Sequence, residues 1–386
     1  MFAKLSDLIN YLFGIHINLP IQTYGFFVAM AFLTGAYIIW LELKRKEKEG
    51  VITSQKKKIW KGKPASIQEM FLSGLFGFII GYKVIGMIIN YSFFADHPQE
   101  YILSWAGNWP GGLILTAISV YSAYRKKQKQ KLDSPVQVET IIHPYQLTGN
   151  ILMVAAVFGI LGAKLFDVIE HIDQLIVDPI GTLISFSGLA FYGGLIVAAF
   201  AVAIYAERNK IPWPHIGDTV APALILAYAV GRIGCQLSGD GCWGIENLEP
   251  KPEWLSFLPD WIWAFDYPHN VINDGLRIPS CTGDHCYILE NPVYPTPFYE
   301  TVMGSIIFIG LWSVRKKLRT PGYLFSIYLI FNGIERFTIE KIRVNIRHHF
   351  LGIEVTQAEI IAVVLVILGI IGFWYFRKRN DQKTKK

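Results

Sequence analysis

Nine apolar stretches, each close to the length of a membrane span, constrain this chain more than any other feature. They run over about 21–42, 67–90, 109–124, 147–168, 188–206, 216–235, 298–314, 322–338 and 357–376. A bilayer's hydrocarbon core is roughly 30 Å thick, which about 20 helical residues cross. No water is available there to satisfy backbone amides, so spans of this length are expected to be helices. At 52% hydrophobic and 14% aromatic, the 386-residue chain is too apolar for an ordinary soluble domain. The expected fold class is all-α, a polytopic membrane helical bundle of about nine transmembrane helices with a small irregular extracytoplasmic head over 236–297.

The charges set the orientation. Of 36 Lys and Arg residues, 26 lie in five segments: "KRKEKEGVITSQKKKIWKGK", "RKKQKQK", "ERNK", "RKKLR" and the tail "RKRNDQKTKK". All five fall on one side of the nine spans. Residues 91–108 hold no Lys or Arg, and 236–297 hold only Lys251 and Arg277 against nine acids. The positive-inside rule places the C-terminus in the cytoplasm and the N-terminus outside, and an odd span count agrees. The net charge of +6 is therefore a topology signal, and nucleic acid is not an expected partner. The opening "MFAKLSDLINYLFGIHINLP" lacks the basic region and continuous apolar core of a signal peptide. Its Phe2, Leu5, Leu8, Ile9, Leu12 and Phe13 recur at helical spacing, so residues 1–20 read as a helix lying on the outer membrane face. Four Cys, at 235, 242, 281 and 286, sit at or in the long outer loop, where disulfides persist. Cys281 and Cys286 are close enough in sequence to pair, although sequence does not choose among the three pairings. Cys235 also reads as a small buried side chain.

Two segments repeat. The stretches starting at Phe76 and Phe158 share Gly-x-Lys (Gly81/Lys83 and Gly162/Lys164), Ser-x-x-Gly (Ser104/Gly107 and Ser185/Gly188), Gly-Gly (111–112 and 193–194) and a closing "YSAYR" or "YAER". Each is a pair of spans joined by an outer loop, so a duplicated helical hairpin is expected, with the glycines as close-packing sites. The expected organisation is an interfacial helix (1–20), a first span with its basic loop (21–66), an extra hairpin (67–133), a second hairpin (147–210), a catalytic half (211–376) and a basic tail (377–386).

Charges inside spans are costly and are functional candidates by default. The candidates taken here are Lys83, Lys164, Asp167, Arg232, Glu300, Glu335 and Arg336, with Asp240, Glu340 and Arg343 just beyond span ends. Arg336, Glu340 and Arg343 stand at i, i+4 and i+7, which on a continuous helix is one face. Arg232 opens "GRIGCQLSGDGCWG" (231–244), whose glycines allow a ligand to approach backbone amides. Arginines suit a phosphate because the guanidinium fork is planar and always charged. The same charges also read as mutually pairing structural groups.

At these residues the chain resembles the prolipoprotein diacylglyceryl transferase family. Gly231–Gly244 is similar to that family's Gly-Arg-Ile/Leu-Gly-Asn followed by a turn with Gly-Glu and Trp-Gly. Tyr24-Gly25 matches the entry of the first span. "FYGGL" (191–195) is similar to Phe-His-Gly-Gly-Leu, and "GDTVAP" (217–222) to Asp-x-x-Ala-Pro. "YPTPFYE" (294–300) resembles His-Pro-x-Gln-Leu-Tyr-Glu. Thr320–Arg343 resembles Arg-Pro-Gly followed by Arg-Phe-x-x-Glu-x-x-Arg. The resemblance covers about 15–45 and 147–376. The family has seven spans, so the hairpin at 67–124 is additional.

The resemblance implies a multi-pass protein of the bacterial inner membrane. It implies transfer of a diacylglyceryl group from phosphatidylglycerol to the lipobox cysteine of preprolipoproteins, with glycerol 1-phosphate released. The implied partners are phosphatidylglycerol, preprolipoprotein signal peptides and the bilayer; no cofactor and no metal is expected. Arg232, Arg336, Asp240 and Glu340 are the expected catalytic residues. Tyr24, Tyr192, Gly193, Gly194, Cys235, Gly239, Gly244, Glu300 and Arg343 are expected to bind substrate. Four positions depart from the family: Tyr192 and Tyr294 replace His, Cys235 replaces Asn, and Asp240 replaces Glu with one residue added before Trp243. A phenol of pKa about 10 is a poor base at neutral pH, so base duty falls to Asp240 or Glu340, or electrostatics alone activates the thiol. A small-molecule transporter or a non-catalytic phospholipid- or lipoprotein-binding protein are the competing readings.

Overall fold

Helices dominate the computed structural model of the chain, which describes residues 1–96, 101–102, 104–184, 190–345, 348–350 and 353–384. Among the described residues nine helices have 18 residues or more: α2 (Thr23–Lys48), α3 (Ile67–Ile89), α5 (Trp109–Lys129), α6 (Thr148–Glu170), α9 (Phe191–Arg208), α10 (Trp213–Ser238), α11 (Thr296–Val314), α12 (Tyr323–Glu340) and α13 (Gln357–Thr384). Shorter helices are α1 (Leu5–Phe13), α4 (Tyr91–Asp96), α7 (Ile172–Val177) and α8 (Pro179–Ile184). Each long helix falls on a predicted apolar stretch; residues 188–189 of the fifth stretch lie outside the described residues. Six are long and apolar enough to cross a membrane: Thr23–Lys48, Ile67–Ile89, Pro144–Glu170, Trp213–Ser238, Thr296–Val314 and Gln357–Asn380. Of the other three, α5 ends in a basic turn, α9 ends on Glu207-Arg208, and α12 carries Glu335, Arg336 and Glu340.

The expectation of an all-helical chain is adjusted by three two-stranded ladders among the described residues: β1 (Gln55–Lys61) with β2 (Val136–Ile142), β3 (Leu276–Arg277) with β4 (Tyr287–Ile288), and β5 (His348–Phe350) with β6 (Ile353–Val355). The alternation in "VQVETII" has the period of a strand, and alternate residues of β2 are shielded.

The chain divides into two units. One comprises Phe2–Thr23 and Lys56–Ile142; the other comprises Met1, Tyr24–Gln55 and His143–Lys386. In the smaller unit α1 is stopped by Gly14, whose positive φ of 65° closes the helix on Asn10. Ser66 starts α3 with a capping box: its hydroxyl accepts from Glu69 N at 3.1 Å and its N–H donates to the Glu69 carboxylate at 3.2 Å. The buried residues of α3 are all glycines, 74, 77, 81 and 86, whereas Phe71 and Phe76 point outward, 68% and 63% exposed. Small inside and large outside is the reverse of a soluble core. It is what close helix packing within lipid requires.

In the larger unit α10, α11 and α12 pack on one another around Ile225, Leu311 and Leu324. Asp218 of α10 accepts from Gly322 N at 2.8 Å and Phe325 N at 2.9 Å, so one helix caps the start of another. Buried Glu42 of α2 pairs with Arg45 and with Arg315 beyond α11, each at 2.7 Å. After α10 the chain enters a loop region with short 3₁₀ turns, the β3–β4 ladder and a Cys281–Cys286 disulfide. Trp243, Tyr267 and Val293 form its small core with Met1, Phe265 and Leu289 around them.

Candidate active site

Glu300, in the first turns of α11, is fully buried, and three guanidinium groups converge on its carboxylate. Arg232 Nε lies 3.1 Å from one oxygen. Arg343 and Arg336 lie 3.4 Å and 3.8 Å from the other. Tyr228 donates to that second oxygen at 2.8 Å and lies 3.1 Å from Glu335, tying the two carboxylates together. Arg336 also reaches Glu340 at 3.0 Å, and Asn345 donates to the other Glu340 oxygen at 2.5 Å. The Arg232 guanidinium stacks over the Tyr228 ring, 5.1 Å from its centre. Removing ions from water costs several kcal/mol each, and only mutual pairing with good geometry offsets it. Here the offset is incomplete: Arg336 Nε is buried without a hydrogen-bond partner among the described residues.

The glycine-rich stretch is built by two left-handed residues. Gly239 (φ 66°) closes α10 by donating to Cys235 O, and Gly241 (φ 86°) turns the chain back. Gly244 N donates to Tyr294 O at 2.9 Å and Ile245 N donates to Ile342 O at 2.8 Å. The stretch is thus laced between the segment entering α11 and the segment leaving α12. An ideal Cβ on Gly244 would lie on the Ile342 carbonyl, so only glycine fits there. Thr296 donates to Cys242 O at 2.7 Å. Asp240 accepts from Cys242 N at 3.2 Å, and its carboxylate and the Cys235 and Cys242 sulfurs all lie within 4.8 Å of one another. Arg232 extends to the Cys235 sulfur at 3.8 Å. The hydrogen bond from Cys235, aided by Arg232 and Arg343, lowers the pKa of the Cys242 thiol, although burial and the neighbouring Asp240 carboxylate oppose this. Burial holds the Tyr267 phenol protonated well above its usual range.

Of the residues expected from sequence, Arg232, Glu300, Arg336, Glu340 and Arg343 meet in one web. Asp240 and Cys235 lie together beside it. Tyr24 backs onto Gly234, with backbone atoms 3.4–3.5 Å from where its Cβ would be. Tyr192 acts electrostatically on Arg336. Gly193 and Gly194 face α6 instead, where a Cβ would meet Phe166 and the Gly159 carbonyl. One geometric expectation is corrected. Arg343 does not share a helix face with Arg336 and Glu340, because α12 ends at Glu340 and Arg343 forms a bridge with Gly244. It reaches Glu300 from this turn. Tyr228 and Asn345 were not foreseen. Tyr228 had a signal, since it lies four residues before Arg232 on the same helix; Asn345 had none.

The family model for prolipoprotein diacylglyceryl transferase matches the chain twice, over residues 10–151 and 134–375. The chain belongs to that family. It is 30% identical over 283 residues to the phosphatidylglycerol–prolipoprotein diacylglyceryl transferase of Symbiobacterium thermophilum, covering 70% of this chain and 89% of that one. The enzyme of the same name from Clostridium novyi is 32% identical over 223 residues, 58% of this chain and 76% of its own. That of Bifidobacterium adolescentis is 28% identical over 255 residues, 61% and 69%. Each of the two family matches takes in one of the two glycine-rich hairpins, and the arginine web falls wholly in the second.

Proposed function

We propose that this family member transfers the diacylglyceryl group of phosphatidylglycerol to the thiol of a lipobox cysteine. The convergence of Arg232, Arg336 and Arg343 on one buried carboxylate carries this reading, together with the buried Nε–H of Arg336, which has no hydrogen-bond partner among the described residues. A phosphate entering beside Glu300 would compete with it for these donors and would find the planar forks it needs. The sulfur attacks the glyceryl carbon and a C–S bond forms. The C–O bond to phosphate breaks, and glycerol 1-phosphate departs with the electron pair. The arginines stabilise the charge that grows on the leaving oxygen. The thiol's proton passes to a carboxylate, Asp240 or Glu340. Purified protein in phosphatidylglycerol vesicles should add a diacylglyceryl mass to a lipobox peptide and release glycerol phosphate. Bound lipid with neither product would leave a lipid-binding protein, and solute uptake into the vesicles would favour a transporter.

The nine long helices and the charge asymmetry support nine spans in a bacterial inner membrane. Met1 and the 236–297 loop are outside and Lys386 is cytoplasmic. A cysteine placed at 275 should react with an impermeant thiol reagent in intact spheroplasts, whereas one at 128 should not; the opposite pattern would invert the topology. Residues 67–133 read as an added copy of the 147–210 hairpin.

A further inference from the structure

The mechanism above uses neither Cys235 nor Cys242 and gives Asp240 only as one of two proton acceptors, and the chemistry of these three residues together bears on the step left least determined there. The resemblance places Asn at 235 and His at 192, so this chain has gained a thiol where it lacks an imidazole. The three donor atoms lie within 4.8 Å of one another. The turn that gathers them is anchored at both ends. Gly239 caps α10 behind Cys235, Asp240 accepts from Cys242 N, and Thr296 holds Cys242 O. Cys281 and Cys286 are joined in a disulfide, while Cys235 and Cys242 are free thiols. Two sulfurs and a carboxylate, with Arg232 3.8 Å from one sulfur to balance a thiolate, form a soft donor set suited to a tetrahedral d¹⁰ cation. The Tyr24 phenol lies within electrostatic reach of all three residues.

We propose that Cys235, Asp240 and Cys242 bind a zinc-type ion with one position left for an exchangeable ligand, and that the acceptor cysteine takes that position. This rests on the transferase reading. Three protein ligands and one open position is the pattern of catalytic rather than structural zinc. Coordination deprotonates a thiol outright. The acceptor thiol displaces a bound water, releases its proton to solvent and becomes a metal thiolate. Its sulfur then attacks the glyceryl carbon, and glycerol phosphate leaves with the C–O electron pair. No imidazole is required, and the Tyr192 departure loses its cost.

The test uses the full-length protein in nanodiscs, reduced with a phosphine and then freed of metal. Zn²⁺ or Co²⁺ alone should bind at one ion per chain. Cys235→Ser, Cys242→Ser and Asp240→Asn should each weaken binding by more than the roughly 10–100-fold that loss of an outer-shell partner costs. Cys281→Ser with Cys286→Ser should keep the stoichiometry at one. With Co²⁺ loaded, a lipobox peptide should intensify the thiolate-to-metal band, and the same peptide with Ser for Cys should not. Chelation should abolish transfer and Zn²⁺ restore it. Thermal unfolding of each variant without metal separates loss of a ligand from loss of the fold. Unchanged affinity in Cys242→Ser, which is partly exposed, would overturn the site, as would a Cys235–Cys242 disulfide whose reduced form binds no metal. Metal binding with transfer indifferent to chelation would overturn thiol activation. Metal binding and the peptide-dependent Co²⁺ band in a protein that transfers nothing would instead count against the transferase reading.

Discussion

The α3–α5 and α6–α9 hairpins have the same backbone wiring and differ at the ends where their two helices are joined. In the first, Asn108 N donates to Tyr82 O at 2.8 Å; in the second, Ala190 N donates to Ala163 O at 3.1 Å. Asn90 closes α3 on Gly86 as His171 closes α6 on Asp167. A Cβ on Gly81 would meet the Gly111 carbonyl, and one on Gly162 would lie 2.7 Å from the Gly193 carbonyl. Above this shared frame they part. Lys83 donates to the carbonyls of Tyr101, Ser104 and Ala106 at 2.5–2.9 Å, whereas Lys164 pairs with Asp167 at 2.9 Å. The start of α5 is Trp109-Pro110, capped by Asn108; the matching residues of α9 are Phe191-Tyr192, and Tyr192 acts on Arg336. The glycine frame makes a hairpin of this kind, and the residues at the start of its second helix differ between the two copies.

The largest expected contrast lies between that frame and the arginine web. Arg336→Lys should lower diacylglyceryl transfer by about 10²–10³, the usual cost of one transition-state donor, while insertion and thermal stability persist. Full activity in both Arg336→Lys and Arg232→Lys would remove the phosphate clamp. Next come the frame residues. Gly81→Leu and Gly162→Leu each force a side chain onto a backbone carbonyl, and each should cost about 1–3 kcal/mol or more in detergent unfolding. Only the second should also reduce transfer in protein that remains folded. Equal losses of activity would mean that both hairpins serve the site.

The web was legible because charges within apolar stretches are few, and Arg232, Glu300, Arg336 and Glu340 have no cheaper place to go than one another. The helices were legible from length and apolarity alone. Arg343 was misplaced because periodicity does not mark where α12 ends; its termination depends on the bridge to Gly244, a contact about 100 residues distant in sequence. Tyr228 was lost among 19 tyrosines, since a phenol in an apolar helix is ordinary until its hydroxyl is seen between two carboxylates. β1 lies in a basic segment that reads as a topology signal, and the uncharged-to-acidic β2 stretch "VQVETII" carries no mark of its partner.

Smaller effects sharpen the hairpin contrast. Tyr192→Phe should slow transfer by roughly 2–10-fold, the scale of one hydrogen bond, because a neutral phenol offers a polar contact without serving as the base for the acceptor thiol. A loss as deep as that of Arg336→Lys would make Tyr192 a proton carrier after all. At the matching position in the first hairpin, exposed Pro110→Ala should leave transfer within about twofold. A larger change there would mean that this hairpin also serves the chemistry.

The cap that Asp218 places on α12 acts as a hinge pin for the arginines. Arg232 follows Asp218 by 14 residues and Arg336 follows Phe325 by 11, so at 1.5 Å per residue the two lever arms are about 21 Å and 17 Å. With one end pinned, a tilt of only about 3° would move a guanidinium by about 1 Å, a misplacement that can cost about 10²-fold in rate. The spacing of the jaws is thus set at the far end of the helices from the arginines. Asp218→Asn should therefore widen the jaws without touching a substrate, and a phosphate-mimicking inhibitor would register the change before any loss of fold.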